Sequence, residues 1–319
     1  IPENDTHIIH EFILLGFPAS RELQTLLFVI FLTVYLLTVT ENIIIITLIR
    51  TNHQLHKPMY FFLGHLAFLE AWYISVTVPK LLLNLLVKSK SISLPGCMAQ
   101  LYFFIALVCS ECALLAVMAI DRCLAICSPL HYAVTMSPRL CLQLALGSWL
   151  LGFLMSVLKV FFISRLSFCG AGVINHFFCD ISPLLNLSCT KRTVAEMVDF
   201  VSALVILLIP LSVIIISYMC IISTILLIPM AQSRRKAFST CASHLAVVII
   251  FFSATLFMYA RPSSVQSLDL NKVVSIIYTV VTPMLNPLIY CLRNQEIKDT
   301  LLKVLCSTVA LSRVSAADP

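Results

Sequence analysis

Two carboxylates, Glu70 and Glu111, stand inside long apolar runs, and an Asp121-Arg122 pair sits near the end of one of them. His65, His244 and Lys159 also lie in apolar surroundings. Spacing limits the chemistry open to these residues. A hydrolytic centre would need a nucleophile with its base, or a metal cluster, at one depth. His65 and His244 fall on different runs with no carboxylate at useful spacing, and the chain has no His-Glu-x-x-His. Single histidines in such settings usually hydrogen-bond locally. Two acids far from water instead need a partner, a proton or a shared cation, because an isolated charge there is costly. An Asp-Arg pair at the end of a run offers an ion pair that a moving element can break. A catalytic site is not expected from these residues.

The elements that carry these residues follow from composition. Of 319 residues, 60% are hydrophobic and 11% charged, against roughly 25% charged in a soluble domain. Such a chain takes lipid as its solvent. Crossing about 30 Å of hydrocarbon at about 1.5 Å per residue needs roughly 20 apolar residues. Runs of that length are placed at Leu23 to Ile49, Pro58 to Leu86, Gln100 to Ile126, Leu140 to Phe162, Met197 to Ile228, Phe238 to Tyr259 and Val273 to Leu292. They lack the alternation of a closed β-barrel. The fold class is therefore an all-α membrane protein, a bundle of seven transmembrane helices. Its divisions are an N-terminal segment 1–22, a bundle 23–292 containing a long loop 163–196, and a tail 293–319.

Several function classes fall away. The net charge of +6 is scattered among short loops and forms no basic face, so no nucleic-acid partner is expected. Seven spans divide badly into the matched halves of a transporter, and no internal repeat is visible. After the last span, Ile297, Leu301 and Leu305 recur every four residues with Lys298 and Lys303 between them, the pattern of a short helix lying on a membrane surface. Cys306 beside it is a candidate for palmitoylation.

Charge alone does not orient the bundle. With the N-terminus outside, eleven Lys and Arg fall on the cytoplasmic side and ten on the other. Around the first span, however, Arg50 and Lys57 follow while Arg21 alone precedes. In the same orientation the sequons at Asn4 and Asn186 face the lumen, together with Cys97, Cys169, Cys179 and Cys189. Four cysteines in an oxidising compartment read as two disulfides, with three pairings open. An extracellular N-terminus is expected. No cleavable leader is expected either, the first span serving as its own membrane signal.

Specific motifs sit on these spans. The third ends in Met118-Ala119-Ile120-Asp121-Arg122-Cys123-Leu124-Ala125-Ile126-Cys127, and Leu55-His56-Lys57-Pro58-Met59-Tyr60 follows the first. Ser217-Tyr218 closes the fifth, Lys236-Ala237-Phe238-Ser239-Thr240-Cys241-Ala242-Ser243-His244 opens the sixth, and Pro283-Met284-Leu285-Asn286-Pro287-Leu288-Ile289-Tyr290 ends the seventh. In order and spacing the chain resembles the odorant receptors of the rhodopsin-like G-protein-coupled receptor family, from Glu11-Phe12 to Arg293-Asn294, and within them the land-vertebrate type. It departs from the family pattern at Glu41, where Gly is usual, at Glu70, where Asp is commoner, at Cys123, and at Phe252, where Tyr is usual.

The resemblance implies a receptor for small, mostly apolar odorants that activates a stimulatory heterotrimeric G protein and raises cAMP, in the plasma membrane of olfactory cilia. A rhodopsin-like receptor for another small ligand in non-olfactory tissue is the alternative. Asp121, Arg122, Tyr218, Lys236, Asn286, Pro287 and Tyr290 become the coupling and activation set, Asp121 holding Arg122 at rest. On residues alone, Arg122 has the second reading of a side chain snorkelling to headgroups. Pro287 and Pro210 are expected to kink their helices. The resemblance pairs Cys97 with Cys179 and Cys169 with Cys189.

For the ligand, Phe104, Ile105, Val108 and Cys112 recur at helical spacing on the third span, with Cys109 among them. By resemblance Ser202, Ile206, Phe252, Thr255, Leu256, Tyr259 and Thr279 face them, interhelical packing being the alternative role for each. Ser202, Thr255, Tyr259 and Thr279 offer directional hydrogen bonds. Lys159 either greets an acid or aldehyde or snorkels outward, the latter being the expectation. Glu70 lies twelve residues beyond Pro58 and Glu111 ten before Asp121, so both sit about 15 to 18 Å from the same end. They either hydrogen-bond as neutral acids or share a sodium ion or proton, with Asn42 and Asn286 completing the cluster as the resemblance implies. No other cofactor is expected.

Overall fold

The computed structural model of the chain describes residues 9–17, 20–87, 90–259, 268–293 and 296–303. Among the described residues, seven helices are long and apolar enough to cross a membrane. In chain order they are α1 (Arg21–Thr51), α2 (Pro58–Leu86), α3 (Leu94–Cys127), α5 (Pro138–Ser164), α7 (Thr193–Leu226), α8 (Ala231–Tyr259) and a composite of α9 (Leu268–Ile276), a π-helical turn (Ile277–Val281) and α10 (Thr282–Arg293). Short helices α4 (Pro129–Thr135) and α6 (Ile181–Asn186) lie in the connections, and a last helix, α11, covers 296–303.

Most helices begin before their apolar runs do, because capping residues, not hydropathy, decide where backbone turns. Ser20, Ser93 and Ser137 accept from the amides of Leu23, Gly96 and Leu140, satisfying donors that a helix start leaves orphaned. Pro58, Pro95, Pro129 and Pro138 occupy first turns, where a missing N–H costs nothing. The fifth span stops at Leu226, two residues short of the expected Ile228.

α3 runs through the middle, packed against α2, α5, α7 and α8, with buried side chains all round. The other helices turn apolar residues outward, as a lipid solvent allows: α7 exposes Phe200, Ile209, Ile216 and Met219. α5 approaches α3 through a stripe of small residues, Ala145, Ser148, Gly152 and Ser156. Gly152 sits where any Cβ would overlap Ser110 Oγ and the carbonyl oxygen of Ala106 and lie 2.7 Å from the amide nitrogen of Ser110. One turn on, Ser156 Oγ donates to the carbonyl of Tyr102.

Pro210 and Pro287 lie inside α7 and α10, and Pro79 inside α2. The π turn ahead of Pro287 was not anticipated. Its loosened ladder is repaired locally, Thr282 Oγ1 donating to the carbonyl of Ile277 at 3.0 Å.

One end of the bundle carries a small sheet that hydropathy did not reveal, of order β2-β1-β3 with β1 at Glu11–Leu14, β2 at Ser91–Ser93 and β3 at Val173–Ile174. β1 pairs antiparallel with β2 (Phe12 opposite Ile92) and parallel with β3 (Ile13 opposite Val173). Phe12 and Leu14 point inward and are fully buried. Gly172, at φ +63°, lets the loop turn there, where a Cβ would meet the carbonyl of Glu11 at 3.0 Å. The structure joins Cys97 to Cys179 and Cys169 to Cys189, with Cα separations of 5.5 and 5.8 Å. We call this the disulfide end and its opposite the Asp-Arg end.

Candidate functional site

Below the disulfide end the loop after β3 drops into the bundle. His176, Phe177, Phe178 and Cys179 are all buried. The amide of Cys179 donates to Gln100 Oε1 at 3.0 Å, and Gln100 Nε2 donates in turn to the carbonyl of Val76. His176 Nε2 lies 3.1 Å from Ser275 Oγ, tying the loop to α9. Burial, with Lys272 nearby, lowers the His176 imidazole to about 3, so it is neutral near pH 7. Phe178 packs its ring 4.8 Å from that of Phe104. This loop is a lid.

Beneath the lid is a cavity of about 190 Å³ lined by Phe104 and Val108 of α3, Asp180, Ile181 and Ser182 of the loop, Asp199 of α7, Thr255 and Met258 of α8, and Tyr278 of the π turn. It is smaller than the roughly 300 to 1,000 Å³ of sites for drug-sized ligands. A molecule of few heavy atoms fits it. Phe104, Val108 and Thr255 were expected here. Ile105, Cys109, Cys112, Ser202, Ile206, Phe252 and Thr279 are buried in the same region without lining this cavity, and Leu256 is half-buried. The side chain of Tyr259 lies outside the described residues.

The expected hydroxyl donors are engaged elsewhere. Ser202, Thr255 and Thr279 donate to the carbonyls of Val198, Phe251 and Ser275 one turn back on their own helices. They keep lone pairs, so toward a ligand each can only accept. Polarity in the cavity comes instead from Asp180 and Asp199, which sequence reasoning passed over.

Lys159 corrects an expectation. It does not snorkel outward: it is buried at 3% exposure and donates to Asp199 Oδ1 at 2.7 Å. A signal for this pairing was present. Lys159 lies five residues before the end of α5 and Asp199 six after the start of α7, the same depth on antiparallel helices. In so dry a place an ammonium finds a carboxylate more cheaply than it reaches water.

Asp180 caps α6, its Oδ1 accepting from the amide of Ile181 at 2.8 Å. Burial pushes its carboxyl up to about 6; Asp199 adds to the shift, while the Ile181 amide and Lys159 oppose it.

Deeper, Asn286 Nδ2 donates to Glu70 Oε1 in a short hydrogen bond. Asn42 does not join it; its Nδ2 donates to the carbonyl of Thr38. Among the described residues Thr38 Oγ1, Asn42 Oδ1, Glu111 Oε1 and Asn286 Oδ1 are buried without a hydrogen-bond partner. These orphans are all oxygens, the ligand type that a hard cation, or a proton with water, would satisfy. Glu41, the departure beside Asn42, also buries an unpartnered oxygen, Oε2.

At the Asp-Arg end the expected resting ion pair is absent. Among the described residues no Asp121–Arg122 contact within 4.0 Å occurs; Asp121 Oδ1 instead accepts from Tyr132 Oη of α4 at 2.7 Å. Burial first, then the neighbouring Asp121, push the Tyr132 phenol far above its ordinary range, so it remains a donor. Adjacent residues on a helix point about 100° apart, and the loop delivers a better-aimed partner. Arg122 is buried at 7% exposure with Nε unpartnered. Tyr218 stacks on His244. Its hydroxyl lies 2.8 Å from His244 Nδ1, and His244 Nε2 lies 3.1 Å from the carbonyl of Leu115, so one imidazole latches α3, α7 and α8. Pro287 and Asn286 are buried. The side chains of Lys236 and Tyr290 lie outside the described residues, as do Asn4, Leu305 and Cys306. Asn186 is exposed at the end of α6, its Oδ1 accepting from Arg192.

Comparison with known proteins agrees with this architecture. The family model described as "Olfactory receptor" matches residues 31–308. The chain is 60% identical to human olfactory receptor 6B1 over 302 residues, 95% of this chain and 96% of the relative. It is 55% identical to human olfactory receptor 6A2 over 320 residues (99% and 97%) and 56% identical to mouse olfactory receptor 6B9 over 303 (95% and 96%). With seven membrane-spanning helices, a lidded cavity and likeness over nearly its whole length, the chain is a multi-pass plasma-membrane receptor, not an enzyme, and it belongs to the olfactory receptor family.

Proposed function

We propose that the cavity beneath the lid binds a small odorant, with the disulfide end outside the cell, and that binding is passed to a stimulatory G protein at the Asp-Arg end, raising cAMP. The observation that carries this reading is the cavity itself. It touches α3, α7, α8 and the π turn together, and the Tyr218–His244–Leu115 latch joins three of those four elements further along. A ligand that draws α8 and the π turn toward α3 biases the latch between two arrangements, which is what a population shift requires. The apolar walls, Phe104, Val108, Ile181, Met258 and part of Tyr278, select small hydrophobic molecules. Asp180, Asp199 and Lys159 behind them add one polar end. A cAMP reporter assay of the full chain at matched surface level, against a chemically diverse panel, tests the reading. Silence across the panel from a well-expressed receptor, with a functional co-expressed G protein, sinks it.

The lid acid sets a pH dependence. Asp180 has a folded value raised above its unfolded one, so its contribution to the closed lid is complete below the ordinary Asp value and is lost as pH rises through about 6. Odorants with a carbonyl or ether oxygen should therefore be more potent at pH 5.5 than at pH 7.5, about threefold or more, because the protonated acid can donate to them. Asp180→Asn, which keeps a donor at every pH, should flatten the curve. An unchanged slope in that variant would remove Asp180 from the ligand's surroundings.

The orphaned oxygens around Glu111 and Asn286 point to a resident sodium ion or shared proton that stabilises the resting bundle; Glu70, Glu111, Asn42 and Asn286 would hold it. The ion would supply neutralisation of the buried acids. Glu111→Gln is then expected to change basal cAMP and to weaken any sodium or pH dependence of the response. Identical basal signal and dependence in the two proteins would make the acids structural only.

A further inference from the structure

A second cavity lies away from the odorant site, at the Asp-Arg end between α1, α2 and α5. Its volume is about 630 Å³. Its floor is apolar, built from Leu55, Phe61 and Met136, while Arg50, His56 and Lys57 stand on the same wall. No carboxylate is among the lining residues. Lys57 shares its charge with Glu296 of α11 at 2.7 Å, both side chains about half exposed. Among the described residues Arg50 has no carboxylate partner and is exposed.

The position of the groove says what can reach it. The flanking outer surfaces are those of a lipid-facing bundle: Ile43 and Ile44 on α1, Phe68 on α2, and Leu142 and Leu146 on α5 are all exposed. Deeper between α2 and α5, Phe68, Trp72 and Trp149 lie with ring centroids 5.9 to 6.1 Å apart, the two indoles stacked and Phe68 edge-on to Trp72 and tilted to Trp149, an aromatic wall beyond the apolar floor. Trp149 Nε1 is turned inward, donating to His65 Nδ1 at 3.3 Å, so the wall presents ring faces and edges and not a polar group. A soluble anion would gain nothing from that floor, and a neutral apolar molecule nothing from the cations. A molecule with an anionic head and long hydrocarbon chains meets both, its phosphate at Arg50, His56 and Lys57 and its chains down the α2–α5 wall.

We propose that this groove is a binding site for an anionic phospholipid of the leaflet at the Asp-Arg end, which the reading above makes the cytoplasmic leaflet. The lipid would bridge the α1–α2 connection, through Arg50 and Lys57, to the start of α5 beside Met136. That same connection is pinned to α11 by Lys57, with Tyr60 Oη also donating to Glu296 at 2.8 Å. Headgroup occupancy therefore bears on the segment next to the proposed coupling face, whichever odorant is bound.

The test uses the full chain in nanodiscs of phosphatidylcholine containing a tenth of phosphatidylinositol bisphosphate, with retained lipid read by native mass spectrometry. The wild type should carry the inositol lipid in several-fold excess over its share of the bilayer. Arg50→Gln with Lys57→Gln should lower that excess, about fivefold for each charge removed, whereas Arg165→Gln at the disulfide end should leave it unchanged. Equal retention in wild type and the double variant overturns the proposal. So does retention of the inositol lipid in no more than its bulk share by the wild type, a comparison that needs no variant. Displacement of the lipid by soluble inositol trisphosphate at micromolar concentration would assign the site to a free phosphate and overturn the lipid assignment. Because no odorant enters the measurement, its outcome is separate from that of the odorant reading.

Discussion

Replacing Arg122 by Ala is expected to bring odorant-evoked cAMP down to background, at least tenfold below wild type, at matched surface level and with odorant binding retained. The expectation rests on what surrounds the guanidinium. Asp121 accepts from Tyr132 and makes no contact with Arg122 within 4.0 Å, and the Nε of Arg122 is buried without a partner. A buried polar group without a partner calls for one, and in the proposed function a docked G-protein helix would supply it. An outward swing of α8, whose latch runs through His244 to Leu115 on the adjacent turns of α3, would open a path from Arg122 to a docked helix. Arg122→Lys should recover only part of the output, because an ammonium lacks the planar fork of donors that caps carbonyl groups at a helix end. Normal cAMP from Arg122→Ala at equal surface density would remove the residue from coupling. Loss of surface receptor in both variants, with no signal change per receptor, would recast it as a structural cation.

Gly152→Val is expected to cut surface expression at least fivefold while Gly147→Val, five residues away on the same helix, leaves it unaltered. The two glycines differ in what a side chain would meet. A Cβ at Gly147 finds nothing within 4 Å, whereas at Gly152 it overlaps Ser110 Oγ and the carbonyl of Ala106, with the amide of Ser110 at 2.7 Å. Two of those three atoms are backbone and cannot rotate away, so α3 and α5 must separate. Overpacking commonly costs about 1–3 kcal/mol, and here the separation would also break the Ser156–Tyr102 hydrogen bond and move Lys159 from Asp199. Leaving a buried charge unpaired is costlier still, on the order of 3–5 kcal/mol. Cell-surface labelling against total receptor measures the outcome. Equal surface fractions for the two variants would mean that the α3–α5 approach is loose enough to absorb a side chain.

The composition of this chain determined its solvent, and with it the architecture. Runs of apolar residues long enough to cross a bilayer leave a backbone no choice but helix, since each amide must bond within its own segment. The count of seven, the approximate spans and the depth match of Glu70 with Glu111 could therefore be read directly. Ser20, Ser93 and Ser137 marked helix starts through local hydrogen bonding, which needs no knowledge of the rest of the chain. Tertiary structure alone decided what faces what. The sheet that joins β1 to a loop about 160 residues away, the descent of Asp180 into the cavity, and the choice of Tyr132 over Arg122 as the partner of Asp121 depend on contacts between segments distant in sequence. Hydropathy carries no record of such pairings, because in an apolar bundle a buried side chain and a lipid-facing one have the same composition. Lys159 lies between the two cases: its depth was legible, but only the packing of α5 against α7 brought Asp199 within 2.7 Å and turned the lysine inward.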